Sequence, residues 1–241
     1  MLQILSPRVH HVACLAFVVG FLYPEFSQAQ AARDIDFVKI DSTLVNYGYV
    51  SKQHLWQSSI VNVCWENADS KNEAGRIEVE KAVESSWQKV SNINFTGWLQ
   101  CQKDTKGVRI RINDDTSQPT SLIGTRLDGV HNGMQLNLTF TNWSHTECEK
   151  RVSECIKIES MHEFGHALGL AHENLREDAP KACKERYNKD GRDTPPADAS
   201  TEGTPYDANS VMNYCHMIYH SEAKLSDNDA KTASILYGAR N

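Results

Sequence analysis

The sequence predicts an α+β fold in which a mixed sheet is backed by helices and followed by a smaller, loop-rich C-terminal part. Three observations support this prediction. Strand-like and helix-like segments follow one another along most of the chain, and the apolar residues of the helical segments recur every three or four positions. A long stretch without sustained periodicity comes next, and a last helix closes the chain. A cleft between the two parts is the expected site.

The first elements follow from their residue patterns. Ile60–Trp65 is a short apolar run, which is typical of a strand. Residues 73–91 have apolar residues at helical spacing and a charged outer face, which predicts an amphipathic helix. Val108–Ile112 alternates, with Arg109 among the residues on its polar side, and Met134–Phe140 alternates again. Both patterns predict half-buried strands.

The later part of the chain predicts a long helix, a loop and a closing helix. The first helix should run from about Val152 to Leu168, and Gly169 should end it because glycine tolerates positive φ. Residues 179–205 are rich in proline, aspartate, lysine and glycine, which predicts a long surface loop. The closing helix should begin near Ser226, whose side chain can cap its first turn.

Length, composition and charge narrow the function. The 241 residues suit one medium domain or two small subdomains that share a cleft, and the 40% hydrophobic and 23% charged residues suit a soluble protein with a substantial core. The formal net charge of -6 argues against a nucleic-acid partner. No second hydrophobic run follows the N-terminal one, so we expect a mature form that is not attached to a membrane. We also expect this mature form to be a monomer.

The N-terminus predicts export. The apolar stretch at residues 12–23 is short for a membrane span, and small residues suited to cleavage after Ala29 or Ala31 follow it. We interpret residues 1–29 as a signal peptide and expect a secreted protein, either extracellular or periplasmic. An uncleaved membrane anchor is the alternative interpretation of this stretch.

The cysteines agree with an oxidising destination. Removal of the signal takes away Cys14 and leaves six cysteines, an even number that predicts disulfides in an exported chain. Six cysteines allow 15 pairings, and sequence alone does not choose among them. Pairing in sequence order would give Cys64–Cys101, Cys148–Cys155 and Cys183–Cys215.

The segment MHEFGHALGLAHE contains the residues best suited to catalysis. His162 and His166 are four residues apart, so on a helix they share a face and can bind one metal ion. Glu163 lies beside the first histidine and can act as the general base on a zinc-bound water. This is the H-E-x-x-H arrangement of zinc peptidases.

A third ligand follows at a fixed distance. Gly169 permits a turn that brings His172 back towards the first two histidines. Three histidines leave a coordination position open, which is typical of a catalytic Zn²⁺ site. We therefore expect one catalytic zinc ion. The alternative is a helix whose histidines bind no metal.

These residues resemble the signature of the metzincin zinc peptidases, H-E-x-x-H-x-x-G-x-x-H followed by a methionine turn. The second half of that signature is present as YDANSVMNY, in which Met212 would be the turn methionine. Tyr214 matches the tyrosine that astacins and serralysins direct at the zinc, and Asn213 stands where astacins usually have histidine. HENLRED, beginning at His172, resembles the astacin pattern H-E-x-x-R-x-D, whose first glutamate, here Glu173, makes structural contacts.

The resemblance, closest to astacins, implies a metzincin-like fold. Such a fold has a twisted, mixed five-stranded sheet with an antiparallel edge strand, long helices behind it and a small, loop-rich C-terminal subdomain. Met134–Phe140 resembles the edge strand that borders the cleft and pairs with an extended substrate. We expect the catalytic domain at residues 53–241, with its N-terminal subdomain ending at about 172 and its C-terminal subdomain covering 173–241.

The implied function is a secreted zinc-dependent endopeptidase that hydrolyses peptide bonds of proteins. Glu163 would take a proton from the zinc-bound water, and Tyr214 would hydrogen-bond the developing oxyanion. Two other hypotheses are a zinc-containing adhesion module that has lost hydrolysis and a disulfide-bonded structural protein without metal.

Residues 30–52 leave two interpretations open. The segment could be a short inhibitory prosegment in which Asp34, Asp36 or Asp41 ligates the zinc. The alternative is a frayed terminus or an added edge strand with no regulatory role.

Overall fold

The computed structural model describes residues 48–114, 120–143, 147–187, 197, 199–200, 205–215, 218–220 and 222–240. The predicted signal peptide and Asp34, Asp36 and Asp41 lie outside the described residues. Within the described ranges, no helix is both long and apolar enough to cross a bilayer.

Strands and helices alternate along the chain. In order they are β1 (Val50–Ser51), β2 (Ile60–Trp65), α1 (Glu73–Ser85), α2 (Trp87–Val90), β3 (Asn94–Gln100), β4 (Val108–Ile112), β5 (Thr120–Ser121), β6 (Met134–Leu136), α3 (Val152–Ala167), α4 (Lys181–Tyr187), β7 (Ala199–Ser200) and α5 (Asp227–Tyr237). Short 3-10 helices lie at Lys52–His54, Gly124–Leu127, Cys148–Lys150, Glu173–Leu175 and Ile218–His220.

The main sheet has five strands in the order β3-β2-β4-β6-β5. Its strands run parallel except for β5, which is antiparallel to β6 at one edge. β1 and β7 form a separate two-stranded antiparallel sheet. The predicted α+β fold is confirmed.

The core lies between the main sheet and the helices. α1 packs against α3, and α2 packs against α5. The fully buried residues of the core include Val63, Val79, Val83, Trp87, Ile110, Met134, Ile158 and Phe164. The indole Nε1–H of Trp87 donates to the carbonyl of Met161 at 2.8 Å, so α2 is fixed to the middle of α3.

The prediction that Met134–Phe140 is an edge strand is wrong in both its length and its position in the sheet. Only Met134–Leu136 is a strand, and it lies inside the sheet with β4 on one side and β5 on the other. The ladder ends because the Asn137 amide donates to the Glu159 carboxylate instead, and the Asn137 side chain accepts from the amide of Phe140. The antiparallel edge strand is therefore β5.

Two helix predictions hold, and one needs revision. α3 ends at Ala167, and Gly169 follows with φ +96°. α5 begins after Ser226, whose hydroxyl accepts from the Asp229 amide in a reciprocal capping box. The predicted helix at 73–91 is two helices, because Ser86 leaves helical geometry while its hydroxyl donates to the carbonyl of Ala82.

Other differences arise where local patterns are weak. The predicted loop at 179–205 contains the helix α4 and the strand β7. β3 was not predicted, and it carries a bulge at Trp98, which has φ 57°. Arg109, expected on a solvent-facing side, is 5% exposed and pairs with Glu66 at 2.8 Å.

The described cysteines form the three disulfides expected from sequence order. They join Cys64 to Cys101, Cys148 to Cys155 and Cys183 to Cys215. The first ties β2 to the residue after β3, and the second closes a short loop at the start of α3. The third joins α4 to the loop that follows Met212.

Candidate active site

α3 carries two candidate metal ligands and the candidate base. Every residue from Ile158 to Ala167 is buried, so polar groups in this stretch need partners inside the protein. His162 and His166 lie one turn apart with their ring centroids 4.9 Å from each other. Glu163 is 2% exposed and sits next to the first histidine.

The chain reverses after α3 and brings His172 back to the helix. Gly169 adopts φ +96°, a conformation that would strain a residue with a side chain. The amide of Leu170 donates to the carbonyl of Gly165 at 3.0 Å, which closes the end of the helix. His172 then follows in an extended conformation.

Residues 49–51, which we call the N-terminal brace, hold this reversal from outside. The amide of Ser51 donates to the carbonyl of Gly169 at 2.9 Å, and the amide of Ala171 donates to the carbonyl of Tyr49 at 2.7 Å. Val50 forms the antiparallel bridge with Leu170 between these two bonds. The brace therefore supports the backbone that leads into His172.

The Nε2 atoms of the three histidines converge on one point. Nε2 of His172 lies 3.1 Å from that of His162 and 2.9 Å from that of His166. The three residues are the one described group of His, Cys, Asp or Glu side chains arranged to hold a metal ion. Burial, followed by the nearby His172, lowers the pKa of His166 to about 3, so this ring is neutral at neutral pH.

The opposite ring nitrogens fix the tautomers. Nδ1 of His162 lies 2.8 Å from the carbonyl of Val211, and Nδ1 of His166 lies 2.8 Å from the carbonyl of Leu170. A carbonyl oxygen only accepts, so each Nδ1 carries the proton and each Nε2 presents a lone pair. This is the orientation of metal-binding histidines.

This donor set fits a zinc ion. Tetrahedral zinc with Zn–N bonds of 2.0–2.1 Å separates its nitrogen ligands by about 3.3 Å, close to the observed spacing. The Nε2 lone pairs of His162 and His166 converge near His172, where a bound cation would relieve their mutual repulsion. His162, His166 and His172 could therefore hold Zn²⁺ and leave a position open.

Met212 packs against α3, the helix that carries His162 and His166. It is 2% exposed, and a Cβ placed on Gly165 would clash with its sulfur, so a side chain there would require Met212 to move. The carbonyl of Met212 accepts from the amide of Glu173 at 2.9 Å. This contact joins the methionine turn to the residue that follows His172.

Tyr214 reaches the histidines from the same turn. Its hydroxyl lies 2.9 Å from Nε2 of His162, and its ring centroid lies 4.6 Å from that of His172. The backbone amide of Tyr214 donates to the buried side chain of Asn174 at 3.4 Å. The structure thus brings Tyr214 to the same point as the three histidines.

Glu173 faces away from this point into a polar network. It accepts from the amide of Asp207 at 2.9 Å and lies 3.4 Å from the guanidinium of Arg176. Burial raises the pKa of Glu173 to about 7. Arg176 is itself buried and makes a two-bond contact with the carboxylate of Asp178. These contacts are structural, as the sequence resemblance implied for Glu173.

Sequence reasoning missed Glu159, a buried carboxyl one turn before Glu163. Its Oε1 accepts from the amide of Asn137 at 2.5 Å, and the hydroxyl of Tyr219 lies 3.5 Å from its Oε2. Burial raises the pKa of Glu159 well above its usual range, and the Glu163 carboxyl adds to this rise. An acid four residues before the candidate base, on the same helix face, is the signal that could have identified it.

This chain is similar to one known protein family and to several solved structures. The family model described as Astacin, a peptidase family, matches residues 48–236. A structure of myroilysin is similar with a TM-score of 0.57 and 20% identity, covering 80% of this chain and 100% of that one. A crystal structure of myroilysin gives a TM-score of 0.50 and 17% identity, covering 82% and 94%. No curated protein matches this chain.

A further solved structure is that of high choriolytic enzyme 1, a hatching enzyme zinc-protease from the medaka fish Oryzias latipes. It gives a TM-score of 0.48 and 18% identity, covering 79% of this chain and 97% of that one. At these identities the two myroilysin structures indicate a shared fold, and the family model indicates common descent.

Proposed function

The chain belongs to the astacin family of zinc metalloendopeptidases, and we propose that it is exported and cleaves internal peptide bonds of proteins. The observation that carries this proposal is the convergence of three histidine Nε2 atoms beside a helix that carries the buried Glu163. Three histidine ligands leave room for substrate, as catalytic zinc sites require.

Each residue of the site has a separate task. Bound zinc would make water acidic and polarise the scissile carbonyl. His162, His166 and His172 hold the metal, and Glu163 takes the proton of the attacking water and passes it to the leaving amine. Tyr214 donates a hydrogen bond from its hydroxyl to the developing oxyanion.

Substrate binds as an extended chain along the sheet edge formed by β5. Among the described residues, β5 has a strand partner only on the β6 side, so its other side can accept a peptide. Backbone pairing of this kind tolerates many sequences, which suits a protein substrate. The catalytic domain includes the N-terminal brace and is divided at about residue 172, and the mature chain is a monomer.

Export is proposed from the N-terminus and the cysteines together. Residues 1–29 have the pattern of a cleaved signal. The three disulfides suit an oxidising compartment, either extracellular or periplasmic.

The test is hydrolysis of casein by the purified protein, with and without a chelator, beside the variant Glu163→Gln. We expect about one zinc per chain in both proteins, and loss of hydrolysis on chelation. Glu163→Gln is nearly isosteric but cannot accept the proton, so its turnover should fall by about 10²- to 10⁴-fold. Casein hydrolysis that survives complete zinc removal, or a variant above one tenth of the parent rate, would contradict the proposal.

A further inference from the structure

We propose that the Cys183–Cys215 disulfide is a positioning element for Tyr214, which it holds at the zinc site during hydrolysis. This inference rests on the proposed function, because that function gives Tyr214 the oxyanion contact. Cys215 is the residue after Tyr214, so the cross-link acts one peptide unit away from the side chain that reaches His162.

The other end of the disulfide is anchored close to the third metal ligand. Cys183 lies in α4, where its amide and that of Lys184 donate to the carbonyl of Pro180. The ammonium of Lys184 donates to the carbonyl of Glu177 at 2.7 Å. α4 is thereby fixed to the segment that follows His172, and the disulfide transmits that position to Tyr214.

Asn213, the residue before Tyr214, is fixed by hydrogen bonds. Asn213 is fully buried, and its Nδ2 donates to the hydroxyl of Tyr206 at 2.6 Å and to the carbonyl of Asp207 at 2.8 Å. Its Oδ1 accepts from the amide of Cys215 at 2.9 Å. Tyr214 therefore lies between a buried amide and a covalent cross-link, which together restrict the backbone that carries the phenol.

A second disulfide offers a matched control. Cys64–Cys101 spans 37 residues and Cys183–Cys215 spans 32, so removing either one frees a similar length of unfolded chain. Cys64–Cys101 lies at β2 and the end of β3, on the side of the sheet opposite β5. Loss of either disulfide should therefore cost comparable stability, and only one loss should affect Tyr214.

The experiment compares Cys183→Ala/Cys215→Ala with Cys64→Ala/Cys101→Ala, each in the parent and in the Tyr214→Phe background. We expect both pairs to keep zinc. The Cys183/Cys215 pair should lower kcat by about 3- to 30-fold with little change in KM, because a small displacement of a reacting group is costly. In the Tyr214→Phe background the same pair should change kcat by less than about 2-fold, because the two changes act through one group.

Amide hydrogen exchange of the metal-free proteins supplies a readout that does not depend on activity. Exchange over residues 206–215 should rise when Cys183–Cys215 is removed and stay unchanged when Cys64–Cys101 is removed. If Cys183→Ala/Cys215→Ala does not fold, Cys183→Val/Cys215→Ala fills more of the space left by the sulfur atoms and takes its place.

Additive losses of kcat in the Tyr214→Phe background would overturn the inference, and so would equal losses from the two disulfide pairs. If Tyr214→Phe alone leaves turnover unchanged, the role of Tyr214 in the proposed function fails. The exchange measurement then still decides whether the disulfide restrains residues 206–215.

Discussion

His162 and His166 each use one ring nitrogen to hold a backbone carbonyl, which directs the other nitrogen to the common point. Tyr214 reaches that point from a different part of the chain. The function of each side chain depends on which of its atoms already makes a hydrogen bond. Substitutions that change a single atom therefore test these roles most directly.

Tyr214→Phe removes one hydroxyl and keeps the ring. We expect zinc binding to remain and turnover to fall by about 10- to 1000-fold, as loss of one oxyanion donor does. Steady-state kinetics with a peptide substrate measures this. Tyr237→Phe is the matched control, because it removes a buried hydroxyl that donates to the carbonyl of Leu168. Equal turnover in Tyr214→Phe and the parent would limit Tyr214 to packing.

Glu159→Gln should change how stability depends on pH. The pKa of Glu159 is raised in the folded chain, chiefly by burial, while Glu163 and Asp114 also raise it and contacts with Asn137 and Tyr219 lower it. The folded chain thus keeps a proton that the unfolded chain releases above about pH 4.3. The parent therefore loses stability as pH rises from that value towards the folded pKa, by at most about 1.4 kcal/mol per pH unit.

Glu159→Gln lacks this titration. The free energy of unfolding of the variant should therefore increase relative to that of the parent as pH rises. Urea unfolding of the metal-free proteins at about pH 5 and about pH 8 measures the difference. A constant difference between the two pH values would mean that Glu159 is ionised in the folded chain.

Sequence could identify the three histidines because helical spacing and one glycine bring them together locally. It could identify Met212 and Tyr214 because the family signature contains both. It could not identify Glu159 or Asn174, since their partners, Asn137 and Tyr214, are distant in sequence. Contacts between residues far apart in sequence depend on how whole helices and strands pack together. The spacing of residues along the chain does not predict that packing.

At the scale of elements, α3 and the methionine turn pack so closely at Gly165 that a side chain there would displace Met212. In Gly165→Ala the new Cβ would lie 2.3 Å from the sulfur of Met212 and 3.2 Å from the ring of Trp87. Alanine favours a helix over glycine by about 1 kcal/mol. Overpacking a buried contact costs about 1–3 kcal/mol. We expect this cost to exceed the gain in helix propensity, so that Gly165→Ala is less stable than the parent.

Denaturant unfolding of Gly165→Ala measures the balance. Gly75→Ala in α1 is the control, because its Cβ would come no closer than 3.0 Å to the side chain of Leu138. We expect a smaller loss from this second variant. If Gly165→Ala is as stable as the parent, Met212 moves aside easily and the contact does not define the turn.

The elements with regular periodicity were predictable, and the irregular ones were not. α3, α5, β2 and β4 have clear repeats or caps. β3 has none, because Gly97 and Trp98 both adopt positive φ and Leu99 is 74% exposed, which breaks the alternation of a strand. The length of β6 was overestimated because Leu138 and Phe140 remain buried after the backbone has left the ladder.

At the scale of the whole molecule, the N-terminal brace contacts the chain reversal that leads into His172. Tyr49, Val50 and Ser51 are at most 7% exposed. A chain that begins at Lys52 loses the burial of two large side chains, worth roughly 3–6 kcal/mol. It also loses the two backbone bonds on either side of Leu170, so we expect weaker zinc binding as well.

Competition for zinc with a chelator measures this against chains that begin at Gly48 and at Ala31. The chain from Gly48 keeps the brace and should bind zinc as the chain from Ala31 does. Higher casein hydrolysis by the chain from Gly48 would support an inhibitory role for residues 31–47. Equal zinc affinity in the chain from Lys52 would show that the brace does not support His172.

The pairing of the N-terminal brace with residues 169–171 also has a consequence during synthesis of the chain. During synthesis the brace leaves the ribosome long before its partners next to His172, and Tyr214 emerges later still. Contacts between segments so far apart in sequence form late and slowly. Under the proposed function, a nascent chain would therefore have no complete catalytic centre until the segment that carries Tyr214 has emerged.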